Sequence, residues 1–147
     1  MCNKRWEFTG ETKIYFGITL KRIRAAVEFK LKCGIVIAKG ELGGWIEKES
    51  NLSGDAWVSG DARVYGNAWV SGDAKVKSSK DYCVYKNTWS SFRWFTYTRS
   101  NKMWAVGCFY GTGAELIAKA YKDSEKSGKC YEAIVKAQEA IEKVMEE

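Results

Sequence analysis

Hydrophobic positions recur every six residues through the middle of the chain. Aliphatic side chains stand at Ile46, Leu52, Val58, Val64, Val70 and Val76, and small residues at Gly44, Ser50, Ala56, Ala62, Ala68 and Ala74. From Gly54 to Lys77 the units read GDAWVS, GDARVY, GNAWVS and GDAKVK. A fixed period this short decides the architecture before any single element does. Within each unit Ala and Val flank one residue, so a short strand turns both to one side and the middle residue to the other. Gly-Asp or Gly-Asn supplies the corner, where φ is positive and a Cβ is costly. Six units covering residues 42–77 predict a short parallel β-solenoid with a narrow aliphatic interior. A set of ordinary hairpins is the competing reading, but hairpins would not hold six aliphatic positions in phase.

The pattern resembles the hexapeptide repeats of left-handed β-helices, in which three hexads make one coil. That resemblance implies that residues 18 apart stack, about 4.8 Å from each other. The expected outward positions are Trp45, Asn51, Trp57, Arg63, Trp69 and Lys75. They stack as Trp45 with Arg63, Trp57 with Lys75 and Asn51 with Trp69, which sets a cation beside an indole on two of the three faces. Three exposed indoles are unusual for a monomer, so the faces are expected to be covered by the rest of the chain or by a second subunit.

The flanks read differently. Trp6 to Phe8 and Lys13 to Phe16 flank TGET, a turn carrying Gly10, and Ile18 to Ala25 follow the Gly17 corner. This predicts an antiparallel pair capping the first coil, whose end would otherwise leave ladder groups unpaired. Ile35 to Ala38 reads as a buried strand. Ser78-Ser79 marks a boundary, after which Asp81 to Tyr85, Ser91 to Arg99 and Met103 to Tyr110 read as strands, the last two joined at Ser100-Asn101-Lys102. On the middle strand Phe92, Trp94, Thr96 and Thr98 share one face, and Arg93, Phe95, Tyr97 and Arg99 the other. Thr112-Gly-Ala-Glu115 is a capping box opening a helix to about residue 125. Ser127-Gly128 ends that helix, and a second runs from about 129 to 145 on a stripe of Tyr131, Ile134, Val135, Ala137, Gln138, Ile141 and Val144, read as core. The fold class is therefore mainly β with C-terminal α. Residues 1–41 form an N-terminal β cap, 42–77 the hexapeptide-repeat solenoid, and 78–147 a β-hairpin and two-helix module.

Composition narrows the chemistry. The 147 residues are 46% apolar, with seven Trp and eight Tyr, enough to build a core. There is no Pro and no His. Without His, the base of hexapeptide acyltransferases and the metal ligands of solenoid carbonic anhydrases are both missing, and a Cys nucleophile lacks its usual partner. Cys2, Cys33, Cys83, Cys108 and Cys130 form no CxxC pair, so neither a metal nor a cofactor is expected. Cys108, between Gly107 and Phe109, reads as a small buried hydrophobe within a strand. Asp55, Asp61 and Asp73 sit at corners, where Asx turns account for them. The chain reads as a binding protein and not an enzyme. MCNKRWEFTG has no apolar signal segment and no apolar run is long enough to span a membrane, which points to reduced thiols in a host-cell cytosol.

The net charge of +6 is uneven. Residues 1–40 hold nine Lys and Arg against three acids, and 79–111 five against one, while 41–78 hold four against six and 112–147 six against eight. The basic flanks attract an anion or a nucleotide, or are only a solvated surface. Arg93, Tyr97 and Arg99 on one strand face, Lys102 at the turn, and Thr112 at a helix start, where free N–H groups can hold a phosphate, form the candidate ligand site. Trp94, Tyr97 and Tyr110 are the rings expected to stack a base. The competing reading is that Thr112 and Glu115 only begin a helix and that the aromatics only pack on it.

The segment GELGGWIEKESNLSGDAWVSGDARVYGNAWVSGDAKV, preceded by EFTGETK and ITLKRIRA, resembles hexapeptide-repeat proteins encoded by phages and prophages. WFTYTRSNKMW followed by GCFYGTGAELIAKAY resembles the β-β-α-α module that closes them. The resemblance covers nearly the whole chain and implies a phage origin with no assigned reaction. The expectation is immune evasion by binding a host defence protein or sequestering its cyclic or phosphorylated nucleotide signal, in a homo-oligomer. The alternatives are a structural or oligomerisation module and, disfavoured without His, a transferase-like enzyme. A basic protein is a poor DNA mimic, and direct nucleic-acid binding is not favoured.

Overall fold

The computed structural model describes residues 5–31, 34–54, 56–72 and 74–147. Strand β1 (Trp6–Tyr15) and strand β2 (Ile18–Ala25) form an antiparallel hairpin. Its two-residue tip is Phe16-Gly17, both at positive φ. TGET, expected to be a turn, lies inside β1. The pairing shifts register between Phe8 and Thr12 while Gly10 takes a φ of 94°. An irregularity in the pairing absorbs two extra residues and the strand continues, so the reversal falls to Phe16-Gly17. Strands β3 (Phe29–Lys30) and β4 (Val36–Ile37) pair antiparallel. The expected buried strand over 35–38 is only partly so: Ile37 is buried, Val36 on the opposite face of β4 is exposed, and Ile35 is exposed ahead of the strand.

The repeats begin at strand β5 (Leu42–Ile46) and continue as two-residue strands: β6 (Trp57–Val58), β7 (Arg63–Val64) and β8 (Lys75–Val76). β5 pairs antiparallel with β2 on one edge and parallel with β7 on the other, giving an open sheet in the order β1-β2-β5-β7. All parallel pairs among the described residues are 18 residues apart. Trp45 faces Arg63 and Ile46 faces Val64; Trp57 faces Lys75 and Val58 faces Val76; Leu52 bridges to Val70. Leu52, Val58, Val64, Val70 and Val76, with Ala56, Ala62, Ala68 and Ala74, are buried in one core, to which Trp6, Ile23, Phe29, Leu31 and Ile37 add a wall. At Gly44 the approach leaves no room for a side chain: a Cβ would lie 2.6 Å from both the Ala62 carbonyl oxygen and Val58 Cγ1.

The indoles at 45 and 57 pair with Arg63 and Lys75 as the repeat phase predicts, and the rest of the chain covers them. Trp45 and Trp57 are buried because the flanking strands lie over them. Lys13 Nζ stands 4.2 Å from the Trp45 ring and Phe29 packs edge-on to Trp57 at 5.7 Å. Arg63 sits 4.0 Å over Tyr15. Trp69 is held by the C-terminal sheet, its amide N–H donating to Thr96 Oγ1 at 2.8 Å. Asn51, expected outward, is fully buried, and Ser50, expected inside, is exposed. The 3-10 turn Glu49–Asn51 rotates the chain by one position there.

The C-terminal module is an antiparallel sheet of β9 (Tyr82–Lys86), β10 (Trp94–Thr98), β11 (Met103–Val106) and β12 (Phe109–Thr112), in the order β12-β11-β10-β9. The single strand expected over 103–110 breaks at Gly107-Cys108, where Gly107 has a φ of 56°, so Cys108 is exposed in a turn and not a buried strand residue. Helix α1 (Gly113–Asp123) and helix α2 (Glu125–Glu146) pack on one face of this sheet. The break lies at Ser124, before the expected Ser127-Gly128. Ser124 Oγ accepts the Ser127 N–H at 3.0 Å and caps α2, while Gly128 lies within α2 under the Tyr121 ring. Of the α2 stripe, Tyr131, Val135 and Gln138 are buried, but Ala137, Ile141 and Val144 face solvent. The sheet's other face meets the repeats, where the Tyr82 hydroxyl donates to the Arg63 carbonyl at 2.9 Å and the Lys75 N–H to Ser100 Oγ at 2.9 Å.

This join is sensitive to alkali. Burial, with the nearby Tyr65 adding to it, pushes the Tyr82 hydroxyl up to about 12 from the ordinary 10. Between those values the unfolded chain has released this proton while the folded chain holds it, so stability falls as pH rises from about 10 toward 12. Tyr82→Phe should flatten that fall and cost about 1 kcal/mol at neutral pH for the lost hydrogen bond. Denaturant titration of both proteins at neutral pH and within that window measures it. Equal alkaline slopes in the two proteins would contradict the assignment.

Candidate functional site

Two clefts open in the C-terminal module, and they divide the residues expected to form one site. The first, about 590 Å³, lies between α2, the start of α1 and the turn joining β10 to β11. The second, about 580 Å³, lies at the other end of the sheet, between the β11–β12 turn, α1 and the segment after β9. Both volumes suit a small organic ligand.

Position along the sheet explains the division: Tyr97 and the β10–β11 turn lie at one end, Arg93 and the β11–β12 turn at the other. Phe95 and Tyr97 turn toward the helices, while Thr96 and Thr98 turn toward the repeats. Tyr97 is therefore buried at the first cleft, and its hydroxyl donates to Glu142 Oε1 at 2.6 Å. Burial, then the bond to Glu142 and the charge of that carboxylate, raise its ionisation far above the ordinary tyrosine range. Lys102 Nζ reaches the other oxygen of Glu142 at 3.2 Å. Thr112 lies on the same cleft, but its cap is complete. Thr112 Oγ1 accepts the Glu115 N–H at 3.2 Å, and Glu115 Oε1 accepts the Thr112 N–H at 3.1 Å. The Thr112 N–H, and then the Thr112 hydroxyl donating to the same oxygen at 3.0 Å, hold the Glu115 carboxyl below its ordinary value and place a carboxylate where a phosphate was expected. With Glu139, Glu142 and Glu146 against Lys102 and Lys143, this cleft has an acidic excess.

Arg93 and Tyr110 line the second cleft. The Arg93 guanidinium lies over Gly107, where an added Cβ would stand 3.6 Å from Nη1. The Tyr110 hydroxyl donates to the Ser71 carbonyl at 3.3 Å and accepts from Asn101 Nδ2 at 2.9 Å, tying the cleft's rim to the repeats. Lys119 brings a second cation, 3.7 Å from Asp123. Phe109 and Tyr131 add rings, and the lining charge is basic in excess, two cations against one acid. Trp94 and Arg99 line neither cleft. Trp94 is exposed with Lys86 Nζ 5.5 Å from its ring, and the Arg99 N–H donates to the Asp81 carbonyl at 2.8 Å.

Sequence reasoning did not bring Lys119 and Tyr131 to this cleft: Tyr131 reads as core in the α2 stripe, and nothing in the sequence singles out Lys119. The loop floor was legible in Asn87-Thr-Trp-Ser90, an Asx-turn sequence. Asn87 Oδ1 accepts the N–H groups of Trp89 at 3.0 Å and Ser90 at 2.9 Å, while Nδ2 donates to the Tyr131 hydroxyl at 3.1 Å.

Among the described residues, Cys83, Cys108 and Cys130 are free thiols, and burial raises Cys83. Also among them, no group of three or more Cys, Asp or Glu could hold a metal ion, and no helix is long and apolar enough to cross a membrane. Cys2, Cys33, Asp55 and Asp73 lie outside the described residues, and Asp61 is exposed at its corner. The chain matches no family model, no curated protein and no solved structure.

Proposed function

We propose that the chain is a non-catalytic binding protein that holds a small phosphorylated nucleotide in the Arg93 cleft. The observation that carries this reading is the pairing of a rim with a basic excess, Arg93 and Lys119 against Asp123, with the rings of Phe109, Tyr110 and Tyr131 around a space of about 580 Å³. Guanidinium and ammonium groups pair phosphate oxygens, and an aromatic wall stacks a base. The other cleft repels the same ligand through Glu139, Glu142 and Glu146. In this reading residues 42–77 are two coils of a left-handed hexapeptide solenoid, supported by the uniform 18-residue spacing of the parallel pairs. They act as the rigid support on which Tyr110 is seated. For a phage-encoded cytosolic chain, the role is to withhold a nucleotide signal from host defence. This step rests on the resemblance of the repeats and of the C-terminal module to phage proteins.

Calorimetric titration against cyclic dinucleotides, cyclic oligonucleotides and ADP-ribose derivatives tests it. One class should bind at micromolar concentration, and Arg93→Ala with Lys119→Ala should weaken that binding roughly a hundredfold while leaving the fold intact, as loss of charge-assisted bonds does. Absence of heat from every member would overturn the nucleotide reading. A second reading, docking on a host defence protein, is favoured by Phe92 and Trp94, which are both exposed beside the cleft. It predicts capture of a host protein that Phe92→Ser abolishes and Arg93→Ala does not.

A further inference from the structure

The tip of the β1–β2 hairpin is built against local preference. A two-residue turn with positive φ at both positions calls for Asn-Gly, and here it is Phe16-Gly17, with φ of 48° and 79°. A bulky side chain in that region is strained, and such strain persists where it serves a purpose. Phe16 is 87% exposed and Ile14, near the end of β1, is 78% exposed. The Tyr15 ring braces Phe16 edge-on at 4.6 Å and is itself fixed beneath Arg63. The result is a rigid apolar knob on a basic element, since residues 5–25 hold five Lys and Arg against two Glu.

The α2 cleft has the complementary chemistry. Its floor carries Trp104 and Val135, its lining holds Glu139, Glu142 and Glu146 against Lys102 and Lys143, and the helices of residues 112–147 hold eight acids against six cations. We propose that Phe16 and Ile14 of one copy insert into the α2 cleft of a second copy. Knob and cleft are different patches, so the contact is heterologous and assembly runs head to tail, closing as a ring or continuing as a chain. The occupant is a second copy because this chain itself supplies both halves, an apolar basic tip and an apolar acidic cleft. The proposal uses the cleft that the nucleotide reading leaves empty, so either can fail alone.

Sedimentation velocity on the full chain tests it. The wild type should sediment above 16.7 kDa at micromolar concentration. Phe16→Asn should weaken association roughly thirtyfold or more, as loss of a buried aromatic anchor does. Its thermal midpoint should rise, because Asn tolerates the turn conformation, which separates lost contact from lost folding. Glu139→Lys with Glu146→Lys should also sediment as a monomer. An equimolar mixture of the two variants should form a one-to-one dimer and stop there, since one keeps an intact cleft and the other an intact tip. A wild type at 16.7 kDa, a Phe16→Asn variant that associates like the wild type, or a mixture that stays monomeric would each overturn the proposal.

Discussion

Val58→Asp is expected to abolish cooperative folding. Val58 is fully buried, pairs with Val76 three repeats further on, and fills the space that Gly44 leaves open. A carboxylate there would lie among the buried valines and alanines of the repeat core. Burying an unpaired charge costs several kcal/mol or more. A single domain is stable by about 5–15 kcal/mol, so this one change takes up much of that margin. Val58→Thr separates polarity from shape, because its hydroxyl replaces a methyl at nearly constant volume; it should cost about 1–3 kcal/mol and leave the transition cooperative. Thermal unfolding followed by near-ultraviolet circular dichroism, with seven Trp as reporters, measures both. A soluble Val58→Asp protein with a sharp wild-type transition would mean that the aliphatic phase does not mark the interior.

The phase itself was legible because it rests on repetition. Position 58 is inside for the same reason as 64, 70 and 76, and one irregular unit cannot obscure four regular ones. The stacking of Trp45 on Arg63 and Trp57 on Lys75 follows from the same counting. What covers those faces was not legible, because burial of an indole by Lys13 or Phe29 depends on contacts 28 to 32 residues away that leave no local mark. The C-terminal site was half legible for a related reason. Alternation along β10 separates Tyr97 from Thr96 correctly, but only the packing tells which of the two faces lies under helices. Position along the sheet then sends Tyr97 and Lys102 to one cleft and Arg93 and Tyr110 to the other, so residues close in sequence do not form one site. Helix α2 misled through composition. Ser127-Gly128 reads as a break, yet Gly128 is used for the close approach of the Tyr121 ring, and the shorter signal at Ser124 ends α1.

Asn51 is where the repeat rule fails, and replacing it by Asp should be among the most damaging single-atom changes in the chain. Its side chain is fully buried. Oδ1 accepts the Lys48 N–H at 2.9 Å, and Nδ2 donates to the carbonyls of Ala68 at 2.8 Å and Gly66 at 3.2 Å. One amide thus closes the 3-10 turn of its own unit and satisfies two carbonyls of the repeat stacked on it, a place no aliphatic residue can fill. Asp keeps the volume and the acceptor but sets a carboxylate oxygen against two carbonyl oxygens. Burial and that repulsion both disfavour the ionised form, so the new carboxyl is raised above its unfolded value of about 4. The sign follows: below that value the carboxyl is protonated in both states and can still donate one bond, while above it the unfolded chain releases the proton and the folded chain must hold it. The deficit of Asn51→Asp relative to wild type should therefore grow as pH rises from about 4 to 7, reaching about 3–5 kcal/mol. Asn51→Ala leaves the same backbone groups unpaired but adds no charge, so its deficit should be smaller at neutral pH and independent of pH over that range. Denaturant titration of the three proteins across this range decides the matter. A deficit of Asn51→Asp that does not change with pH would show that water reaches this side chain and that the stacked repeats do not seal it.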